Sequence, residues 1–112
     1  MELLSPAGNF QKLKYALMYG ADAVYSAGKQ FGLRAQAGNF SEQELKKAVE
    51  FAHNLGKKVY ITLNIYAHNQ HLNEMPDYLM FLREIKVDAL IISEPGVFSL
   101  AKEYVPEIPI HI

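Results

Sequence analysis

The residues best able to do chemistry gather in one stretch. A loop punctuated by Gly28, Gly32 and Gly38 carries Lys29, Gln30, Arg34 and Asn39. Two cations among glycines suit a polar or anionic ligand, since glycine lets backbone approach a bound group and long loops in compact domains tend to be functional. The plainer alternative is that both cations are solvated and the glycines only turn the chain. In α/β sheets and barrels, ligands bind beyond the C-terminal ends of the strands. That rule selects Ser5, Asn9, Ser26, Asn64, Tyr66, His68, Asn69, Ser93, Glu94 and His111. Asn9 reads first as a helix cap. Ser93 reads as a cap of the helix after it, with Glu94 favourably placed near that helix's positive end. His68 and His71 have no thiol nearby, and no metal site is expected there. His53 is expected to be an ordinary surface residue. Pairing Ser26 with Lys29 as nucleophile and base would need a depressed lysine pKa that sequence cannot reveal. The ligand-binding candidates are therefore Lys29, Arg34, Asn64, Tyr66, Glu94 and His111. No catalytic residue is identified, because G-x-S-x-G, H-E-x-x-H and G-x-x-x-x-G-K-[ST] are all absent.

The elements that position these residues alternate strictly between strand and helix. A short strand over 2–5 ends at Pro6 and Gly8. Asn9 opens a helix to about Tyr19, with Leu13, Ala16 and Leu17 on one face and Gly20 as its stop. A second strand covers 23–26. Ser41 and Glu44 form a capping box before the stripe Leu45, Ala48, Val49, Ala52 and Leu55, which ends at Gly56. KVYITLNI over 58–65 is a third strand, rich in β-branched residues. A helix follows with Pro76 in its first turn and Leu79, Leu82 and Ile85 inward. Then come a strand over 89–93, a helix over 96–104 and a last strand over 108–112. GADAVYS and VDALIIS (20–26 and 87–93) form a weak repeat, each placing Asp-Ala before an apolar run that ends in Ser.

Alternation of this kind predicts an α/β fold with about five parallel strands and four helices. An open, doubly wound sheet and a partial (β/α) TIM-like barrel both satisfy it. The barrel is favoured because the apolar strand Ile108, Ile110, Ile112 has no helix after it. The expected domain is thus 1–112, a half-barrel segment of a larger protein. Its unpaired edge strands are expected to self-associate or to meet the missing remainder of the barrel. A receiver-type fold would need an acidic cluster after the first strand and Asp at the end of the third. Ser5-Pro6 and Asn64 occupy those positions.

Composition narrows the classes further. The 112 residues carry a formal net charge of −1, so no nucleic-acid footprint shows in the total. Half the chain is apolar, and no run approaches the length of a membrane helix. No signal peptide is read at the start, and cytoplasm is the expected compartment. There is no cysteine, which excludes disulfides, thiolate metal sites and a thiol nucleophile within this chain.

ELLSPAGNFQKLKYALMYGADAVYSAGKQFGLRAQAGNFS, KKVYITLNIYAHN and DALIISEPGVFSLAKE together resemble the N-terminal part of peptidase family U-32, the collagenase-like proteases. The likeness spans essentially the whole chain. It departs at Ser26-Ala27, where the family favours Leu-Gly or Gly-Gly, and at Glu94, where Asp is usual before Pro-Gly. The resemblance implies a barrel-like region of a much longer protein, with cysteines and any iron–sulfur cluster beyond Ile112; separately, the isolated 112 residues are expected to be an inactive structural module that only dimerises. It implies either a peptidase acting on peptide substrates or a factor for tRNA, ribosomal RNA or oxygen-independent ubiquinone hydroxylation. In the second case Lys29 and Arg34 would hold an anionic substrate or co-substrate, oriented by Asn64 and Tyr66.

Overall fold

A computed structural model describes residues 2–27, 40–63 and 75–111. The elements are β1 (Leu4–Pro6), α1 (Phe10–Met18), β2 (Ala23–Ala27), α2 (Glu42–Asn54), β3 (Lys58–Leu63), α3 (Met75–Glu84), β4 (Ala89–Ile92), α4 (Pro95–Tyr104) and β5 (Ile110–His111). The outer strands are shorter or shifted relative to expectation: β1 starts at Leu4, and β5 is confined to two residues. Ile108 instead packs into the core ahead of β5.

Local chemistry sets the helix ends. The Asn9 side chain accepts from Lys12 N at 2.8 Å and opens α1. Ser41 and Glu44 close the expected capping box on α2. Three helices end by one device. A residue with positive φ (Gly20 at 109°, Gly56 at 72°, Lys86 at 66°) is followed by an N–H that donates five residues back: Ala21 to Ala16, Lys57 to Ala52 and Val87 to Leu82. Glycine takes this left-handed conformation without steric cost. Lys86 takes it against its Cβ, so the third stop carries no glycine signal in the sequence.

All five strands are parallel, in the order β1-β2-β3-β4-β5. The order never reverses, which excludes the doubly wound alternative, since that fold needs a switch point. The helices lie together on one face. Leu13 and Leu17 of α1, Leu45, Ala48, Val49 and Ala52 of α2, Leu79 and Leu82 of α3, and Val97 and Ala101 of α4 share one buried cluster with Val24, Val59, Ile61, Leu63, Leu90 and Ile92. Burying ten or more Leu, Ile and Val side chains, each contributing about 1.5–3 kcal/mol relative to exposure, makes this layer the main source of stability. A singly wound parallel sheet with helices on one side is the partial TIM-like barrel expected from the sequence.

The repeat has a physical meaning at the strand entrances. Asp22 N donates to Leu3 O at 2.8 Å, and Leu3 N donates back to Asp22 Oδ2 at 2.8 Å. Asp88 N donates to Val59 O at 2.9 Å, and Val59 N donates back to Asp88 Oδ2 at 2.8 Å. Each aspartate thus clamps the start of the neighbouring strand by the same two bonds.

Candidate functional site

Strand alternation puts every second residue on the face opposite the helices. Register arranges these residues in rungs. The lowest is Leu4, Ala23, Lys58; above it lies Pro6, Tyr25, Tyr60, Ala89; the highest is Ala27, Thr62, Ile91, His111. Ala23, Tyr60 and Ala89 form a small buried cluster, joined by half-buried Tyr25 and Ile91. This is the inner face of the barrel wall. Its highest rung lies at the C-terminal strand ends, where barrels hold their ligands.

Tyr60 is the centre of that face. Its hydroxyl donates to both Glu2 carboxylate oxygens, at 2.8 and 2.9 Å. Burial, then the Glu2 hydrogen bond and negative charge, push its pKa up to about 12. At neutral pH Tyr60 is therefore a phenol committed as a donor, and no general base. The ring of His111 meets the Tyr60 ring edge-on, with centroids 5.2 Å apart. His111 is exposed, and no described residue takes its ring nitrogens in a hydrogen bond. The Thr62 hydroxyl donates to Ser26 O at 3.3 Å. The face thus offers the half-buried Tyr25 ring, the Thr62 hydroxyl and the accessible His111 imidazole, a set suited to a planar polar ligand.

Of the sequence-selected residues, His111 reaches this face. Glu94 does not join it: its carboxylate caps α4, accepting from Gly96 N at 3.0 Å and Val97 N at 2.8 Å. The cap of α4 is accordingly Glu94 and not Ser93. Ser26 is buried, and its strand position points it toward the helices, away from the inner face. Lys29, Arg34, Asn64, Tyr66, His68, Asn69 and His71 lie outside the described residues.

His53 is exposed on α2, as expected, and it also engages a partner. Its Nε2 lies 2.8 Å from Asp88 Oδ2, and the two side chains are 35% and 26% exposed. This is no catalytic dyad. In a Ser-His-Asp site the acid holds Nδ1 and leaves Nε2 for the nucleophile. Here Nε2 faces the acid, and that acid already accepts from Val59 N at the strand entrances, opposite the ligand-binding end. Neither His53–Asp88 nor Tyr60–Glu2 had a sequence signal, because their partners lie 35 and 58 residues apart. Among the described residues no group of three His, Asp or Glu side chains is placed to hold a metal ion, and no helix is long and apolar enough to cross a membrane.

Comparison with known proteins adds a family likeness. The model of peptidase family U32 matches residues 8–112. The chain is 47% identical over 113 residues to a tRNA hydroxylation protein P of Helicobacter pylori, covering 100% of this chain and 27% of that protein. It is 42% identical over 111 residues to tRNA hydroxylation protein P1 of Bacillus subtilis, covering 99% of this chain and 26% of that protein. The chain therefore spans about a quarter of the length of these curated relatives. The crystal structure of a candidate dehydratase from Mesorhizobium loti superposes with a TM-score of 0.58 at 12% identity, over 97% of this chain and 33% of that one. That likeness, to a TIM-barrel-type protein, concerns the fold alone.

Proposed function

The chain belongs to peptidase family U32, and on that premise we propose that it forms part of the barrel wall of a factor that hydroxylates tRNA. Identity of 42–47% across the whole chain to tRNA hydroxylation proteins is the observation that carries this reading. The inner face supports it chemically: the half-buried Tyr25 ring and the exposed His111, which packs on buried Tyr60, offer aromatic surface and an imidazole to a nucleobase-sized ligand. In this reading Lys29 and Arg34 hold an anionic substrate or co-substrate above the rung Ala27, Thr62, Ile91, His111, and Asn64 and Tyr66 orient it. Glu94 shapes the rim by fixing the start of α4. Any iron–sulfur cluster of the parent protein draws its thiolates from outside this chain, which has no cysteine.

The test is deletion of the parent gene, followed by mass spectrometry of digested tRNA. Loss of a hydroxylated nucleoside, restored by the wild-type gene and not by Lys29→Ala/Arg34→Ala, is expected. Unchanged nucleosides after deletion would end this reading. The peptidase reading rests on names alone, that of the family and that of a further relative called an uncharacterized protease. Among the described residues no nucleophile, base and acid come together to support it. Cleavage of denatured collagen or casein by the purified parent protein would reinstate it.

A further inference from the structure

The outer face of α1 is unusual for a solvated helix. Leu13 and Leu17 are buried against the sheet. On the far side Gln11, Lys14, Tyr15, Met18 and Tyr19 recur at spacings of three and four, so they share one face. Tyr15, Met18 and Tyr19 are 65%, 71% and 80% exposed. The two tyrosine rings lie parallel, with centroids 5.6 Å apart and planes 8° apart. Together with Gln11, Lys14 and Met18 they line an open groove of about 480 Å³.

Charge distinguishes the possible occupants. The α1 helix carries Lys12 and Lys14 and no acidic residue, in a chain whose net charge is −1. Lys14 sits over the rings of Phe10 and Phe51, at 5.3 and 5.9 Å, which holds a cation beside the groove. The core of a protein–protein interface is enriched in Tyr and Met but depleted of lysine, so the lysines bordering these rings are what set this face apart. A flat aromatic platform bordered by lysines matches single-stranded nucleic acid, whose bases stack on side-chain rings while cations meet the phosphates. We infer that the Tyr15–Tyr19 face of α1 is an RNA contact surface that stacks an unpaired base, with Lys12 and Lys14 on the flanking phosphates. This rests on the tRNA reading above for the identity of the nucleic acid. It places the contact on the outer helix layer, away from the inner face.

The chain contains no tryptophan but seven tyrosines, so quenching present in wild type and absent from Tyr15→Ala/Tyr19→Ala is what reports stacking on this face. The experiment titrates the 112-residue chain with an unpaired oligoribonucleotide and with an RNA duplex, reading labelled-RNA anisotropy and tyrosine quenching. Wild type is expected to bind the unpaired RNA more tightly, with quenching. Tyr15→Ala/Tyr19→Ala should weaken that binding roughly 5- to 150-fold. Tyr15→Phe/Tyr19→Phe keeps the rings and should retain affinity within a few-fold. Absence of binding by wild type, equal binding by the alanine pair, or equal loss in both pairs would overturn the inference. So would self-association abolished by the alanine pair with RNA binding intact, which would make the face a protein interface. The nucleoside analysis of the parent gene is separate: if deletion removes the modification but the alanine pair restores it fully, only the platform fails.

Discussion

Replacing Asp88 with alanine tests how the sheet is held at its strand entrances. The substitution removes two bonds at once, the one from Val59 N at 2.8 Å and the one to His53 Nε2 at 2.8 Å. Val59 is fully buried, so its N–H is left facing a vacated, partly buried position. A buried donor stranded in this way costs about 1–3 kcal/mol. The His53 pair is about one-third exposed, and solvent screening limits it to under about 1 kcal/mol. The sum is about 1–4 kcal/mol, or roughly 5–20 °C in Tm for a chain of this size. Asp88→Asn keeps an acceptor for Val59 N–H and loses only the charge, so it should cost about 1 kcal/mol. Urea denaturation followed by far-ultraviolet circular dichroism, on wild type and both variants, gives the differences directly. If Asp88→Ala and Asp88→Asn are equally mild, both below about 0.5 kcal/mol, the clamp contributes nothing and the meaning assigned to the repeat is wrong.

Five further outcomes follow from the same structure. Tyr60 should ionise near pH 12 in a phenolate absorbance titration, and Glu2→Gln should lower that value. Because its folded pKa is raised, its contribution to stability is complete below the ordinary tyrosine pKa of about 10 and declines as pH rises toward 12. Asp22 behaves oppositely. Its carboxyl is held below the usual range, first by Leu3 N–H and then by Lys57, so its contribution is lost as acid protonates it, and Asp22→Asn should flatten that part of the acid unfolding curve. Lys86→Gly relieves a positive φ at a helix end and should raise stability by about 1 kcal/mol in thermal melts, whereas Glu94→Ala should lower it by about 1 kcal/mol through loss of the α4 cap. The edges of β1 and β5 have no neighbour among the described residues, so light scattering should show a mass that rises with concentration, and a constant monomer mass would refute this.

Much of this architecture is written in local chemistry. Asn9, the Ser41–Glu44 box and the glycines at 20 and 56 mark helix ends because each acts on backbone within a few residues of itself. Alternation of β-branched runs with helical stripes is likewise a short-range pattern, and it was enough to give parallel strands, four helices and a barrel-like class. The helix stop at Lys86 escaped because a lysine there is held in place by Val87 N–H and the packing around it, against its own preference. Single winding, and with it one helical face and one inner face, came from strand order, which depends on contacts between segments tens of residues apart. For the same reason the meeting of Tyr60 with Glu2 and His111, the engagement of His53 by Asp88, and the commitment of Glu94 to a cap belong to tertiary structure. Residue types name which groups can donate, accept or stack; only the folded sheet decides which of them face one another.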